Sequence, residues 1–304
     1  MLYLTTREKF DVFTAIHALR EDRGKCGGFY VPYRLPNFSN GDILALQLLP
    51  LSQRIAKVLN LFFNTKLSAI DIEFAIGRHP VRVVTMSHKI AVVEAWHNHD
   101  GNFDFIVTSL YKLVTKEDPE FSNCPTWFRI AVRIAVLFAV FSDLMKTCIA
   151  PVDISVAMGD FTAPMAIWYA RKMGLPIGNI IFGCDEDSPL WDFLHNGTLS
   201  AADKPALEIL LFELFGFSQV QSFVRHSMDA KQYSIREEQL PILKKGLFCA
   251  VVGQQRVESI VQNQFNTNQY FMDPNTAVGF GSLQDYRVTQ FETRPALILS
   301  DVKP

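Results

Sequence analysis

The sequence predicts an α/β protein built on an open parallel sheet with flanking helices. Three observations carry that reading. Val156-Ala157-Met158-Gly159-Asp160-Phe161-Thr162 runs from a strand through a glycine turn into a helix that opens at Thr162, ends on Arg171 and Lys172, and stops at Gly174. Pro176 and the apolar run Ile180-Ile181-Phe182 then start a second strand, which completes a βαβ unit. Elsewhere short apolar strands alternate with longer amphipathic stretches, as in chains that wind helices around a parallel sheet.

Taken in order, Leu2-Tyr3-Leu4 reads as a short strand and Asp11 to Arg20 as a helix, broken by Gly24, Gly27 and Gly28. Phe29-Tyr30-Val31-Pro32 follows, then a helix from Gly41 to about Leu49 that Pro50 ends. Ser52 to Phe63 is a helix with Ile55, Val58, Leu59 and Phe62 on one face. Val81 to Thr85 and Ile90 to Trp96 read as strands joined by a turn at Ser87-His88-Lys89. Helices are expected over Phe105 to Val114 and Pro125 to Met145. Beyond the βαβ unit, helical segments are expected at Ala206 to Phe217, from Glu237-Glu238-Gln239, and at Gln254 to Asn263. Ala296-Leu297-Ile298-Leu299 closes the chain as a buried strand. Thr65 to Arg78 carries no recognisable motif.

The chain has 304 residues, 49% of them hydrophobic, and a formal net charge of -2. That balance gives no electrostatic basis for nucleic-acid binding, and no basic stripe is present. The odd count of five cysteines (Cys26, Cys124, Cys148, Cys184, Cys249) shows no metal-ligand spacing. They read as reduced thiols of a cytoplasmic protein. Arg7, Glu8 and Lys9 interrupt any leader, and the apolar run Ile134 to Phe141 is too short to span a bilayer, so no membrane association is expected.

Five segments in order resemble one family. Tyr3-Leu4-Thr5-Thr6-Arg7 with Gly27-Gly28-Phe29-Tyr30-Val31-Pro32 and Leu35-Pro36 resemble the N-terminal signature of threonine synthase. The Gly159 segment resembles that family's GNFG loop and its helix ending in KKMGLPI. Asp185-Glu186-Asp187 with Leu190 stands where a NEND-type motif is usual, and Leu199-Ser200-Ala201-Ala202 resembles TLSPSMD. Phe271-Met272-Asp273-Pro274-Asn275-Thr276-Ala277-Val278-Gly279 resembles DPHTAVG. The resemblance covers the N-terminal arm and Thr126 to Pro304. It implies the fold of the type II pyridoxal-phosphate (PLP) enzymes, the tryptophan synthase β superfamily. It also implies a division into an arm with helices (1–80), a remnant of the small lysine-bearing domain (81–125) and a large α/β domain (126–304).

Four departures from the family pattern shape the functional expectation. The segment nearest to HGPTxAFKDF is Trp96-His97-Asn98-His99-Asp100-Gly101-Asn102-Phe103-Asp104-Phe105, in which the Schiff-base lysine is missing. Covalent PLP chemistry needs that amine, and Asp104 cannot form an imine. No SGDTG-like loop for a substrate carboxylate occurs between Phe105 and Cys124, so the small mobile domain is reduced. The phosphate loop reads Gly159-Asp160-Phe161-Thr162, which adds a negative charge and removes a glycine where a phosphate would sit. The final AHPAKF is reduced to Asp301-Val302-Lys303-Pro304 after Ser300.

These residues point to a degenerate threonine synthase-like protein that serves as a non-catalytic binding or regulatory module, with no catalytic residue. Gly159, Asp160, Phe161, Thr162 and Ser300 are the remnant cofactor loop and cleft, with His97, His99 and Asp104 beside them. No resident cofactor is expected. The alternative is an active PLP-dependent lyase or synthase using a displaced lysine such as Lys89 or Lys112. A second alternative is a non-PLP binder of a small phosphorylated or amino-acid ligand. His97, His99 and Asp100 form a polar turn rather than a metal site, and neither His79 nor His88 is selected by spacing as a third ligand. Phe138, Phe141, Phe212, Phe215 and Phe217 read as core or subunit interface, and an exposed part of that surface would make a homodimer.

Overall fold

Six strands in the order Leu247–Val251, Ile177–Cys184, Val152–Ala157, Ala296–Ser300, Ile90–Glu94, Arg82–Ser87 form the main sheet. The first five of these pair in parallel throughout. The computed structural model describes residues 1–87, 89–121, 123–145, 150–184, 188–200, 205–228 and 232–304. The predicted class therefore holds, an α/β chain on a mainly parallel sheet. The described residues divide into two units. One comprises Met1–Arg82, Ala95–Ala150 and Met165–Pro176; the other Val83–Glu94, Pro151–Pro164 and Ile177–Pro304.

In the first unit, Leu2–Thr5 pairs antiparallel with Glu8–Thr14 and with Tyr30–Pro32. The helix expected from Asp11 is thus corrected. Glu8–Thr14 is a strand, and helix begins only at Ala15, running to Arg20. The alternation around Phe10, Val12 and Phe13 suits a hairpin edge, and Thr6-Arg7 turns the chain back. The Tyr3-Thr6 signature has a plain structural role. Tyr3 donates from its hydroxyl to the Phe62 carbonyl at 2.7 Å, and Thr6 exchanges hydrogen bonds with the Phe29 backbone at 2.9 Å.

The Leu51–Phe63 and Thr126–Leu144 helices pack together, and Phe138 and Phe141 are fully buried. Buried Arg54 links them. It donates to both oxygens of Asp143 at 2.6 and 3.1 Å and to the carbonyls of Leu49, Gln47 and Ala139. Ala69–Ile76 is a helix in the stretch that showed no motif, opened by a Ser68–Asp71 capping box. Gly174 ends its helix for a steric reason. Its φ is +112°, and a Cβ there would lie 2.2 Å from the Phe38 carbonyl oxygen.

In the second unit, the Pro274–Gln290 helix lies on the sheet through small residues. A Cβ on Gly183 would meet Val278 at 2.4 Å, and Ser155 donates to the Gly279 carbonyl at 2.6 Å. This close seat centres a core of Val92, Ile181, Ala277, Phe280, Leu283 and Ile298. The single helix expected from Ala206 to Phe217 is corrected to two, Pro205–Phe215 and Phe217–Met228, because Gly216 turns left-handed between them at φ +76°. Gln254–Asn268 extends further than predicted, and Leu247–Val251 is a strand that the pattern did not single out. His88, Cys148, the Asp185-Glu186-Asp187 motif and Ala201-Ala202 lie outside the described residues.

Candidate functional site

The Gly159 loop stands at the C-terminal end of the Val152–Ala157 strand, the edge at which open parallel sheets bind ligands. Two backbone bonds shape it. Met158 donates to the Gly183 carbonyl at 2.9 Å, and Phe161 donates to the Met158 carbonyl at 3.0 Å. Gly159 adopts φ +52° and Phe161 φ +68°. The buried Phe161 ring pins the loop edge-on against Phe182, with centroids 5.5 Å apart.

Asp160 is exposed, and its carboxylate turns back onto the helix start. One oxygen, Oδ1, accepts from the Thr162 N–H at 3.0 Å and from the Thr162 hydroxyl at 2.6 Å. The helix Thr162–Lys172 therefore has its leading N–H and its positive dipole end answered by the chain's own anion.

Ser300 ends the Ala296–Ser300 strand and is 1% exposed. Its hydroxyl donates to Asp273 Oδ2 at 3.2 Å. Asp273 is buried too and caps the Pro274–Gln290 helix, accepting from the N–H groups of Asn275 and Thr276 at 3.0 and 3.1 Å and from the Thr276 hydroxyl. Beside Ser300 in the sheet register lies buried Glu94, which accepts from the Tyr270 hydroxyl at 2.8 Å. Sequence reasoning missed Glu94 and Tyr270. The available signal was a carboxylate closing the apolar strand Ile90–Glu94.

Lys89 precedes that strand, at the opposite end of the sheet. It hydrogen-bonds Thr293 at 3.3 Å, about 15 Å from the Gly159 end at a strand's rise per residue. Lys303 follows the last strand at the Gly159 edge and is exposed.

The remaining predicted residues belong to the first unit. Trp96 stacks on His97 with centroids 4.1 Å apart, and the His97 N–H donates to the Pro80 carbonyl. His99 is 89% exposed and pairs with Asp100 at 2.8 Å. Among the described residues no three His, Cys, Asp or Glu side chains are grouped to hold a metal. Asn102 caps the Phe103–Thr115 helix, accepting from the Phe105 N–H at 2.8 Å. In its first turn Asp104 pairs with Arg129 at 2.5 Å, and Arg133 lies over the Phe103 ring at 3.7 Å. The Cys124 thiol is pushed up to about 12 by burial. Lys112, in the last turn of that helix, is exposed.

Comparison with known proteins gives a consistent pattern. No protein-family model matches the chain. Human threonine synthase-like 1 is 21% identical over 213 residues, a match spanning 59% of this chain and 28% of that protein. Threonine synthase of Eremothecium gossypii is 26% identical over 215 residues, spanning 59% of this chain and 42% of that enzyme. The chain thus spans less than half the length of these curated relatives. Among solved structures, PLP-bound threonine synthase from Brucella melitensis superposes with a TM-score of 0.86 at 18% identity, covering 100% of this chain and 89% of that one. Yeast threonine synthase superposes with a TM-score of 0.80 at 14% identity, covering 100% and 87%. Among the described residues no helix is long and apolar enough to cross a membrane.

Proposed function

We propose that this chain, threonine synthase-like in sequence and fold, is a non-catalytic binding or regulatory module that holds no resident PLP. The observation that carries this reading is the Asp160 carboxylate on the Thr162 N–H and hydroxyl. A cofactor phosphate carries about 1.5 to 2 negative charges and seeks a helix N-terminus whose N–H groups are open to it. Here it would meet a fixed carboxylate that has already taken the first of those donors. The residues present therefore do not fit the phosphate group.

The amines support the same reading. Asp104, in the segment where the family motif has its lysine, is engaged with Arg129. An ammonium in that turn would stand beside a guanidinium, which disfavours it. Lys89 is held at the far end of its sheet by Thr293. Ser300 commits its only proton to Asp273. The reading also includes a cytoplasmic setting and self-association through the half-buried Phe212, Phe215 and Phe217 surface.

The deciding experiment is addition of PLP to the purified protein, followed by visible absorbance, borohydride reduction and peptide mapping. The expected result is no stoichiometric imine. A stable, stoichiometric adduct on one lysine, with Lys303 the position to inspect first, overturns the proposal in favour of an active PLP enzyme. A small-molecule binder is separated by thermal shift with phosphate and amino acids, since a ligand of the native state raises the midpoint.

A further inference from the structure

We infer that the second unit carries a separate site for a small organic anion with a flat apolar body, at the sheet edge opposite the Gly159 loop. A cavity of about 430 Å³ wraps the start of the outermost strand Leu247–Val251. That volume is in the range of small-molecule sites. It does not include Gly159, Asp273, Ser300 or Glu94, so it stands apart from the remnant cofactor edge.

The walls combine aromatic surface with convergent polar groups. Phe248 supplies the one half-buried phenyl ring among the lining residues, and it meets the buried Tyr286 ring edge-on with centroids 5.3 Å apart. The Tyr286 hydroxyl accepts from the Asn179 amide at 2.6 Å, which leaves its own proton available to a ligand. His195 lines the cavity from the last turn of the Pro189–Asn196 helix. Its Nδ1 lies 2.9 Å from the Trp191 carbonyl oxygen, so Nδ1 carries the proton and Nε2 is the second polar atom of the ring.

Charge selects an anion. Arg294 and Glu292 also line the cavity, but they neutralise each other through bonds at 2.6 and 2.8 Å. Lys244, at the exposed rim, has no anionic partner among the described residues. The lining thus holds one cation without an anionic partner among the described residues together with the Phe248 ring, a pairing that suits an aromatic carboxylate better than a cation or a neutral alcohol.

The test uses the full chain with benzoate as probe and benzyl alcohol and benzamidine as neutral and cationic controls, read by ligand-detected NMR saturation transfer and by melting midpoint. Benzoate should saturate below about 10 mM, a weak fragment affinity, with the two controls clearly weaker. Lys244→Glu should weaken benzoate about tenfold or more, while Lys245→Glu, the same charge change one residue outside the lining, should leave it within about threefold. Both lysines are exposed, so folding is not at stake. The inference is overturned if benzoate does not saturate, if benzyl alcohol binds equally well, or if both variants lose binding equally. None of these outcomes bears on PLP, so this proposal and the functional one fail separately.

Discussion

Replacing Asp160 by Asn, together with Thr162 by Gly, should raise affinity for phosphate and for PLP. The magnitude follows from charge and exposure. A unit charge and a phosphate of about 1.5 to 2 charges, some 4 Å apart, repel by about 1 kcal/mol per charge pair in a water-like surrounding and by about 4 at an effective dielectric of 20. Asp160 is exposed, so the water-like end applies. Removing the charge therefore relieves about 1.5 to 2 kcal/mol, a tenfold to roughly thirtyfold gain in affinity. Asn keeps an oxygen able to accept from Thr162, so Asp160→Asn alone should shift stability by less than about 0.5 kcal/mol, which separates affinity from folding. The assay is calorimetric titration with PLP, inorganic phosphate and pyridoxine, the last lacking the phosphate. The gain should appear for the first two only, and shrink as salt rises. Unchanged phosphate affinity in Asp160→Asn at low salt would refute the argument that this carboxylate stands in for the ligand.

Other perturbations test the frame around the site. Gly174→Ala should cost roughly 3 kcal/mol in urea melts, because its φ of +112° and the Phe38 oxygen both oppose a Cβ. Arg54→Ala removes the buried guanidinium from which the carbonyls of Leu49, Gln47 and Ala139 accept; a loss of about 3 kcal/mol is expected by the same melts. Asp153 is nearly inaccessible, and burial holds its carboxyl above the ordinary range despite the Asn179 N–H and Arg294. The folded chain thus binds the proton more tightly than the unfolded one. Stability should fall as pH rises through the window from the ordinary carboxylate pKa up to the raised one, and Asp153→Asn should flatten that fall in pH-dependent melts.

The legible parts of the sequence were those whose local pattern and tertiary role agree. The strand–glycine–helix around Gly159 follows from local geometry, and so does the buried Ala296–Ser300 strand. Asp11–Thr14 reads as helix because a charged segment next to a true helix gives an ambiguous period, and pairing with Leu2–Thr5 makes it the end of the strand Glu8–Thr14. The Pro274–Gln290 helix carried a motif but no clear stripe. Its glycines weaken helix propensity, yet they let the backbone lie against the sheet. Ala69–Ile76 was announced by Ser68 and Asp71, a capping box that went unread among exposed apolar neighbours such as Ile70 and Phe74. At the site, Asp160 was visible as an unfavourable charge, but its bond to Thr162 was not. The Glu94–Tyr270 pair was not legible either, because it joins positions distant in the chain.

The bond from Asp160 to the helix start has a consequence for how such a chain persists in a cell. A side chain two residues from its target acts as a tethered anion, present at an effective concentration on the order of millimolar or above without diffusing in. Whatever stability the filled helix end brings is then a constant property of the polypeptide. In a protein whose helix end is completed by a free ligand, the folded fraction rises and falls with that ligand's supply. On the function proposed above, which includes no resident PLP, the folded fraction is independent of that supply, so the steady-state abundance of the folded chain should be the same in PLP-starved and PLP-replete cells.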